Sequence, residues 1–380
     1  MPMDQKQNLT LRKFVSNQKG FILIAGLTLL TVLTLLGTTA YILSSTDIKI
    51  GGNFRDSQSA LQVAMAGAER GRAQLTTELF PVSGPIISLS AELAAKRGDN
   101  NVLNGYASGT DDVAMANGSL NGSSYVAYLT NDALDANGQY STTDANSRVL
   151  ITSVATGPNS SSARVEMVVY SAAALASSPA AVYSKGDVTG NGSSLTISGE
   201  DACGEAASIG AIYTKDPANT NLNGSPTITG SVSHGTTNID IPNYINRLKV
   251  GATTTLTADQ NGATYGSSTN YVTVYSDTNN PPNNQGLKLQ NVTGYGILLV
   301  DGDLELGGGF AWNGLVLATG SVTLNGGGGG INIQGLIYSG TSTLTDITVN
   351  GGNVIGNDSC KVKKALSGGG VRVVNWKQVY

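Results

Sequence analysis

The stretch QKGFILIAGLTLLTVLTLLGTTAYILSSTDIKI, residues 18–50, decides the first part of the fold. Residues 21–43 within it are uncharged and largely apolar, and about 20 such residues let a helix cross the hydrocarbon layer of a membrane. The segment before this run holds four basic residues and one acidic residue: Lys6, Arg12, Lys13, Lys19 and Asp4. The positive-inside bias predicts that residues 1–20 stay cytoplasmic and that the remainder is exported.

A second, amphipathic half of the helix is expected to follow the apolar run. Between residues 57 and 75, apolar side chains recur at helical spacing, at Leu61, Ala64, Met65, Ala68 and Leu75. The sequence therefore predicts one long helix over residues 21–80. The Gly51-Gly52 pair is a predicted weak point, because each glycine inside a helix costs about 1 kcal/mol relative to alanine.

Composition excludes several classes of protein. Only 13% of the 380 residues are charged, against about 25% in typical domains, and there are 49 glycines. One histidine and two cysteines exclude multi-histidine metal centres and cysteine-rich zinc sites, and no histidine lies near a convincing nucleophile, so we expect no enzyme and no cofactor. The leader's charge of +3 leaves −7 on the remainder of a chain whose net charge is −4, which argues against nucleic-acid binding.

The amino-terminal segment allows three processing outcomes. The chain is cut as an ordinary secretory signal after Ala40, or stays uncut as a membrane anchor, or is cut between Gly20 and Phe21, before the apolar run. The ordinary signal is disfavoured, because the apolar core exceeds the usual 7 to 15 residues. Only the third outcome leaves the whole apolar helix on the mature chain with a new amine at its tip.

Residues 18–75 resemble the amino-terminal region of the PilX family of type IV pilus minor pilins. The resemblance implies cleavage by a prepilin peptidase at the Lys19-Gly20-Phe21 motif and methylation of Phe21. It further implies that the helix anchors the precursor in the inner membrane and then joins an extracellular filament with other minor and major pilins. A PilY-type adhesin at the filament tip is a further implied partner.

Ala25 departs from the pattern of major pilins, which carry glutamate at the matching fifth mature position. In the family, that carboxylate pairs with the terminal amine of the adjacent, earlier-added subunit, which relieves the cost of burying a charge. A subunit with no neighbour ahead of it needs no such carboxylate, and the same absence occurs in pseudopilin K of type II secretion. Ala25 therefore predicts a place at or near the tip.

Three strand-like runs occupy residues 81–175, at residues 125–130, 148–156 and 163–170. In the last run Val165, Met167 and Val169 alternate with Arg164, Glu166 and Val168, the period-two pattern of a half-buried strand. A small antiparallel sheet packed on the helix is the natural interpretation, and it resembles the head of a pilin.

Oxygen-bearing side chains alternate in the loop between the first two runs. A calcium site would use Asp132, Asp135, Asn137, Gln139 and Asp144. The acidic residue expected at the twelfth loop position is missing, and Gln139 replaces a carboxylate. The alternative is a polar hairpin loop with an Asn-Gly turn.

An internal repeat marks residues 176–365. The runs GILLVDGDLELGG, GLVLATGSVTLNGG and GLIYSGTSTLTDITVNGG, from Gly296, Gly314 and Gly335, align at spacings of 18 and 21 residues. Such repeats without a helical signal predict a right-handed parallel β-helix or solenoid-like domain, so the whole chain is α+β. The expected core residues are Leu298, Val300, Leu315, Val316, Leu336 and Ile337. A similar run from Ala181 suggests that the domain begins there and is interrupted around residues 279–284.

Cys203 and Cys360 lie in similar contexts, near the two expected ends of the repeat domain. In an oxidising compartment they predict one disulfide, and two unpaired buried thiols are the alternative. Residues 366–380 alternate enough to form a closing strand, which we expect to cap the open end of the repeats.

The most consistent function is that of a non-catalytic minor pilin that primes assembly at the tip and displays the repeat domain for adhesion or partner binding. A membrane-anchored adhesion module and a type II secretion pseudopilin are the alternatives. A polysaccharide lyase would need converging charged residues in a groove, and the repeats offer few.

Overall fold

The computed structural model describes residues 18–107, 111–191, 194–216, 218–277, 286–340, 347–350, 352–369 and 371–379. Most of the leader expected at residues 1–20 and the interruption expected at residues 279–284 lie outside the described residues. Helix α1 (Gln18–Leu79) is 62 residues long, about 93 Å at 1.5 Å per residue. It continues through Gly51 and Gly52, so the predicted weak point does not break the helix.

A short helix and four strands follow α1. Helix α2 (Leu89–Lys96) begins at Ser88, whose hydroxyl oxygen accepts a hydrogen bond of 3.2 Å from the amide of Ala91. The strands are β1 (Ala116–Leu120), β2 (Ser123–Asn131), β3 (Arg148–Thr156) and β4 (Ser162–Ser171). Each is antiparallel to its neighbour along the chain, which agrees with the predicted sheet.

This sheet packs one face on the second half of α1. Val165, Met167 and Val169 of β4 are buried in the same core as Ala60, Ala64 and Ala68 of the helix. These small helical side chains bring the helix axis close to the sheet, and alternation along β4 sends Arg164, Glu166 and Val168 to the opposite face.

The rest of the chain is built from short strands and two helices. Within the described residues these elements are β5 (Ala180–Ser184), β6 (Val188–Asn191), β7 (Thr196–Ser198), β8 (Gly210–Lys215), β9 (Thr220–Asn223), β10 (Thr227–Thr229), β11 (Val232–Gly235), α3 (Ile241–Leu248), β12 (Thr254–Leu256), β13 (Gln260–Asn261), β14 (Thr264–Tyr265), β15 (Val272–Asp277), β16 (Leu287–Gln290), β17 (Thr293–Asp301), β18 (Leu304–Gly307), β19 (Phe310–Ala318), β20 (Val322–Asn325), β21 (Ile331–Ser339), β22 (Ile347–Asn350), β23 (Asn353–Gly356), α4 (Ser359–Gly369) and β24 (Val371–Val379).

Strands β5 to β23 pair in parallel and stack in layers. Gly296, Gly314 and Gly335 lie opposite one another in β17, β19 and β21, at the spacings that the aligned repeats have. All three have positive φ, of 132°, 133° and 148°. A Cβ atom on Gly335 would lie 1.8 Å from the carbonyl oxygen of Gly314, so the position requires glycine.

The layers do not stack in chain order. The stack runs from β12 through β15, β17, β19 and β21 to β5, β8 and β11. The chain thus enters at β5 in the middle of the stack, proceeds to one end, passes through α3 to the other end at β12, and returns to the middle at β23.

All six expected core residues of the repeats are buried, but they belong to two cores. Leu298, Val300, Val316 and Ile337 point into the interior of the stack. Leu315 and Leu336 lie on the other face of the same strands, in a core that continues through α3 and α4 to α1 and the antiparallel sheet.

The carboxyl-terminal strand corrects the prediction of a cap. Strand β24 is antiparallel to β4 and is the fifth strand of the first sheet, in the order β1-β2-β3-β4-β24. The layers are therefore inserted between two neighbouring strands of one sheet. The alternating pattern of the tail fits any open sheet edge, and the edge beside β4 is the one it occupies.

Candidate functional site: an exposed apolar helix

The first half of α1 is a long apolar surface that the rest of the chain does not cover. Every residue from 20 to 44 is exposed, and its large apolar side chains are among the most exposed of the described residues, with Phe21 at 73%, Leu27 at 72% and Tyr41 at 77%. Burying this surface against lipid or other helices would release about 25 cal/mol per Å² of apolar area. Such a surface is stable only in a membrane or in an assembly.

Length and hydropathy also fit a membrane span. The helix Gly20–Leu79 contains an 18-residue window with a mean hydropathy of 2.3, none of which is buried within the chain. No charged side chain occurs between Lys19 and Asp47. A window of this kind is typical of a membrane-spanning helix.

Threonine side chains interrupt the apolar surface but do not need water as a partner. The hydroxyls of Thr28, Thr31 and Thr34 each donate to the carbonyl oxygen four residues earlier. Thr39 and Thr46 do the same at 2.8 and 2.9 Å. Because these hydrogen bonds lie within the helix, the threonines can enter an apolar environment without an unsatisfied donor. Their spacing of three to four residues is a signal that the sequence contained.

The predicted processing residues lie at the exposed amino-terminal end of this helix. Lys19 and Gly20 are in its first turn, and the Phe21 side chain is 73% exposed. Ala25 lies one turn later and is also exposed. Between Gly20 and Thr46 the helix carries no carboxylate that would pair with an amine of a neighbouring chain.

The covered half of the helix begins at Asp56. Its carboxylate is only 4% exposed and accepts a hydrogen bond of 2.7 Å from the side chain of Asn159, while its carbonyl oxygen accepts one of 3.1 Å from Ser161. This contact ties the helix to the turn between β3 and β4. The sequence pattern did not indicate it, because it joins residues more than 100 positions apart.

Beyond Asp56, two glycines let the helix lie directly on the sheet. A Cβ atom on Gly67 would lie 2.4 Å from Ser153 Oγ and 2.7 Å from Tyr125 Cδ2. A Cβ atom on Gly71 would lie 3.0 Å from a methyl group of Ile151. The two halves of α1 therefore differ sharply, since one is held by the domain and the other is free to bind elsewhere.

The loop expected to bind calcium is held together by the chain's own donors. The Asp135 carboxylate accepts hydrogen bonds from the amides of Asn137, Ala145 and Asn146, at 2.8, 2.7 and 3.1 Å. Burial raises the pKa of Asp135, but these N–H groups more than offset it, so the pKa lies below its ordinary value. This network is that of an ordered polar loop.

The other predicted calcium ligands also have partners within the chain. Asp144 accepts from the amides of Ser147 and Arg148, both at 3.2 Å, and burial together with the nearby Asp135 charge raises its pKa. Asp132 accepts from Asn146 Nδ2 at 3.3 Å. Gln139 instead lines a cleft on the outer side of the loop. Calcium binding here stays a prediction.

Cys203 and Cys360 lie at disulfide-bonding distance, with their Sγ atoms 2.29 Å and their Cα atoms 6.1 Å apart. They do not mark the two ends of the stack, as their sequence positions had suggested. Asp201 lies beside them and accepts from the amide and hydroxyl of Ser359, both at 2.8 Å. The pair therefore joins the place where the chain enters the stack to the place where it leaves.

A family model described as PilX N-terminal matches residues 19–72, which include the whole exposed apolar surface. None of the curated proteins matches the chain. Among solved structures, the crystal structure of the competence-associated pilin ComZ from Thermus thermophilus is 10% identical, over 85% of this chain and 97% of that chain, with a TM-score of 0.26. That TM-score is too low to support an argument about the arrangement of this chain.

Proposed function

We propose that this type IV pilin-like protein is a non-catalytic minor pilin that joins a filament through the exposed half of α1. One observation carries the proposal: residues 20–44 form a continuous exposed apolar helix while the same helix is firmly packed from Asp56 onward. A helix of this kind can be held first by the inner membrane and later by the helices of neighbouring pilins, which satisfy the same apolar surface.

Processing at the Gly20–Phe21 bond is the first step of the proposal. Removing the positively charged leader would free the helix from its cytoplasmic anchor and leave an amine at Phe21. The bond lies at the exposed end of α1, away from the folded domain, so a membrane-embedded prepilin peptidase would meet no steric obstacle from the described residues.

Ala25 supports a place at or near the filament tip. A carboxylate at this position would neutralise the terminal amine of an earlier subunit, and an alanine leaves such an amine unpaired at a cost of several kcal/mol in an apolar core. A subunit that enters the filament first avoids that cost. Changing Ala25 to glutamate should move the protein from the tip into the shaft, as observed by immunogold labelling.

We further infer that residues 176–365 form a right-handed β-solenoid that the pilin sheet displays outside the filament. The aligned glycines of β17, β19 and β21 and the parallel pairing of their strands support this assignment. Adhesion, or binding to other minor pilins and a PilY-type adhesin, would then be the role of the displayed domain. In this account the protein positions partners and has no catalytic residues.

Filament shearing and gene deletion test the proposal. We expect the processed chain to co-purify with sheared filaments and its loss to reduce the number of filaments. Normal filaments with blocked enzyme release on deletion would favour a type II secretion pseudopilin. Normal filaments with lost attachment, and a chain that stays in the membrane fraction, would favour an anchored adhesion module.

A further inference from the structure

A cleft of about 380 Å³ opens on the face of the antiparallel sheet that points away from α1. Leu150 of β3 and Val168 of β4 lie in it, and both alternate with the residues that contact the helix. The loop between β2 and β3 forms one wall and β24 forms the other. The volume falls in the range of about 300–1,000 Å³ that small ligands occupy.

The charged groups of the cleft leave hydrogen-bond donors available. Glu166 has a side chain only 10% exposed, and it accepts from Lys377 Nζ at 3.0 Å and from the guanidinium of Arg164. Two cations therefore share one carboxylate. The Arg164 Nε atom is buried and has no hydrogen-bond partner within the described part of the chain. An additional acceptor carrying negative charge would complete this arrangement.

The uncharged groups of the cleft fit the ring of a sugar. Tyr140 and Trp376 line it and are 57% and 52% exposed, although large aromatic side chains are usually covered. Such rings offer an apolar surface to the C–H groups of a saccharide. The side-chain amides of Gln139 and Asn375 also line the cleft, and each can both donate to and accept from a hydroxyl group.

We propose that this cleft binds an acidic saccharide, with a hexuronate carboxylate held by Lys377 and Arg164 and the sugar rings against Tyr140 and Trp376. An acidic peptide fits less well, because a peptide would use few of the exposed ring surfaces and has no hydroxyl-rich ring for the amides. The site does not depend on filament assembly. It requires only that β24 pairs with β4, which places Lys377 beside Glu166.

Calorimetry on the full chain in detergent micelles tests the proposal with trigalacturonate as the probe and its methyl ester as the matched neutral ligand. We expect the acid to bind at least 10-fold more tightly than the ester, and added salt to reduce the difference. Lys377→Gln should weaken binding of the acid at least 5-fold. Lys364→Gln, at an exposed lysine of α4, should leave the affinity unchanged.

Glu166→Gln distinguishes a binding role from a structural one. It removes the carboxylate that competes with the ligand, so binding of trigalacturonate should become tighter by a factor of about 3 or more, whereas a merely damaged site would bind more weakly. Circular dichroism confirms that each variant is folded. Equal affinity for the acid and the ester, no binding at millimolar concentration, or tighter binding of a tetra-aspartate peptide would overturn the proposal.

Discussion

The Asn159 side chain donates a hydrogen bond of 2.7 Å to the buried carboxylate of Asp56, and this contact marks where α1 passes from a free apolar helix to a packed one. Asn159 has a positive φ of 53°, a conformation that asparagine and glycine tolerate. The turn between β3 and β4 thus places one amide directly against the helix. This contact lets the domain hold one half of α1 and leave the other half free.

Asn159→Gly should destabilise the chain by about 1.5–3 kcal/mol, because glycine keeps the positive φ but leaves the Asp56 carboxylate without this donor. Denaturant unfolding of the detergent-solubilised chain measures the effect. Asn101→Gly is the matched control, since Asn101 is exposed and has a φ of 62°. Equal stability of the two variants would show that the contact does not hold the helix.

Gly67→Ala should lower stability by about 1–3 kcal/mol, because its methyl group would meet Ser153 and Tyr125 at less than 3 Å. The helix would have to move away from the sheet. Gly52→Ala is the control on the same helix, where no atom lies within 4 Å of an added Cβ, and it should cause no loss. Thermal unfolding followed by near-UV circular dichroism compares them, and a loss in Gly52→Ala alone would contradict the packing described.

Glu92 is expected to make stability depend on pH. Lys96 Nζ lies 3.0 Å from Glu78 and 3.2 Å from Glu92, so α2 is tied to the end of α1. Burial, and then the neighbouring Glu78, raise the pKa of Glu92 to about 7. Because this pKa is higher in the folded than in the unfolded chain, the stability that Glu92 contributes is present below about pH 4.5 and is lost as the pH rises through about 7.

Glu92→Gln should therefore remove much of the stability difference between pH 5 and pH 8, of the order of 2 kcal/mol. Urea unfolding at the two pH values gives the difference directly. Glu69→Gln serves as the control, because Glu69 is half exposed and pairs only with Arg72 among the described salt bridges. The same pH dependence in Glu92→Gln and the unaltered chain would contradict the assignment.

Replacing both Cys203 and Cys360 with serine should cost on the order of 5 kcal/mol in the chain-entropy model for a closed loop of this length, less any strain of the native bond. Faster proteolysis within the stack, with normal export, is the expected result. Asp201→Ala should add to the effect, since Asp201 holds Ser359 independently of the sulfur atoms. Unchanged protease resistance in the double serine variant would show that the bond does not stabilise the stack.

Local patterns in the sequence predicted most of the individual elements. Alternation in β4 and the glycine spacing in β17, β19 and β21 are properties of neighbouring residues, so they can be recognised without knowing the fold. Helix α3 also had a local signal that was missed: Asp240 accepts a hydrogen bond from the amide of Asn243, and a proline lies in the first turn.

The arrangement of the elements depended on contacts between distant residues. Strand β21 pairs with β5 across about 155 residues, and β24 returns to β4 across about 200, and neither pairing leaves a local mark. An alternating strand fits any parallel or antiparallel edge of suitable length. The stack order, the place of the tail and the cleft that includes Lys377 therefore could not be predicted from the sequence.

The most direct test of the account is the intact mass and amino-terminal sequence of the chain isolated from cells with and without an active prepilin peptidase. We predict a mature chain that begins at methylated Phe21 when the peptidase is active and a longer precursor, with its leader attached, when it is absent. A chain that keeps its leader in both cells, or one that begins at Tyr41, would contradict the assignment of α1 as a filament helix.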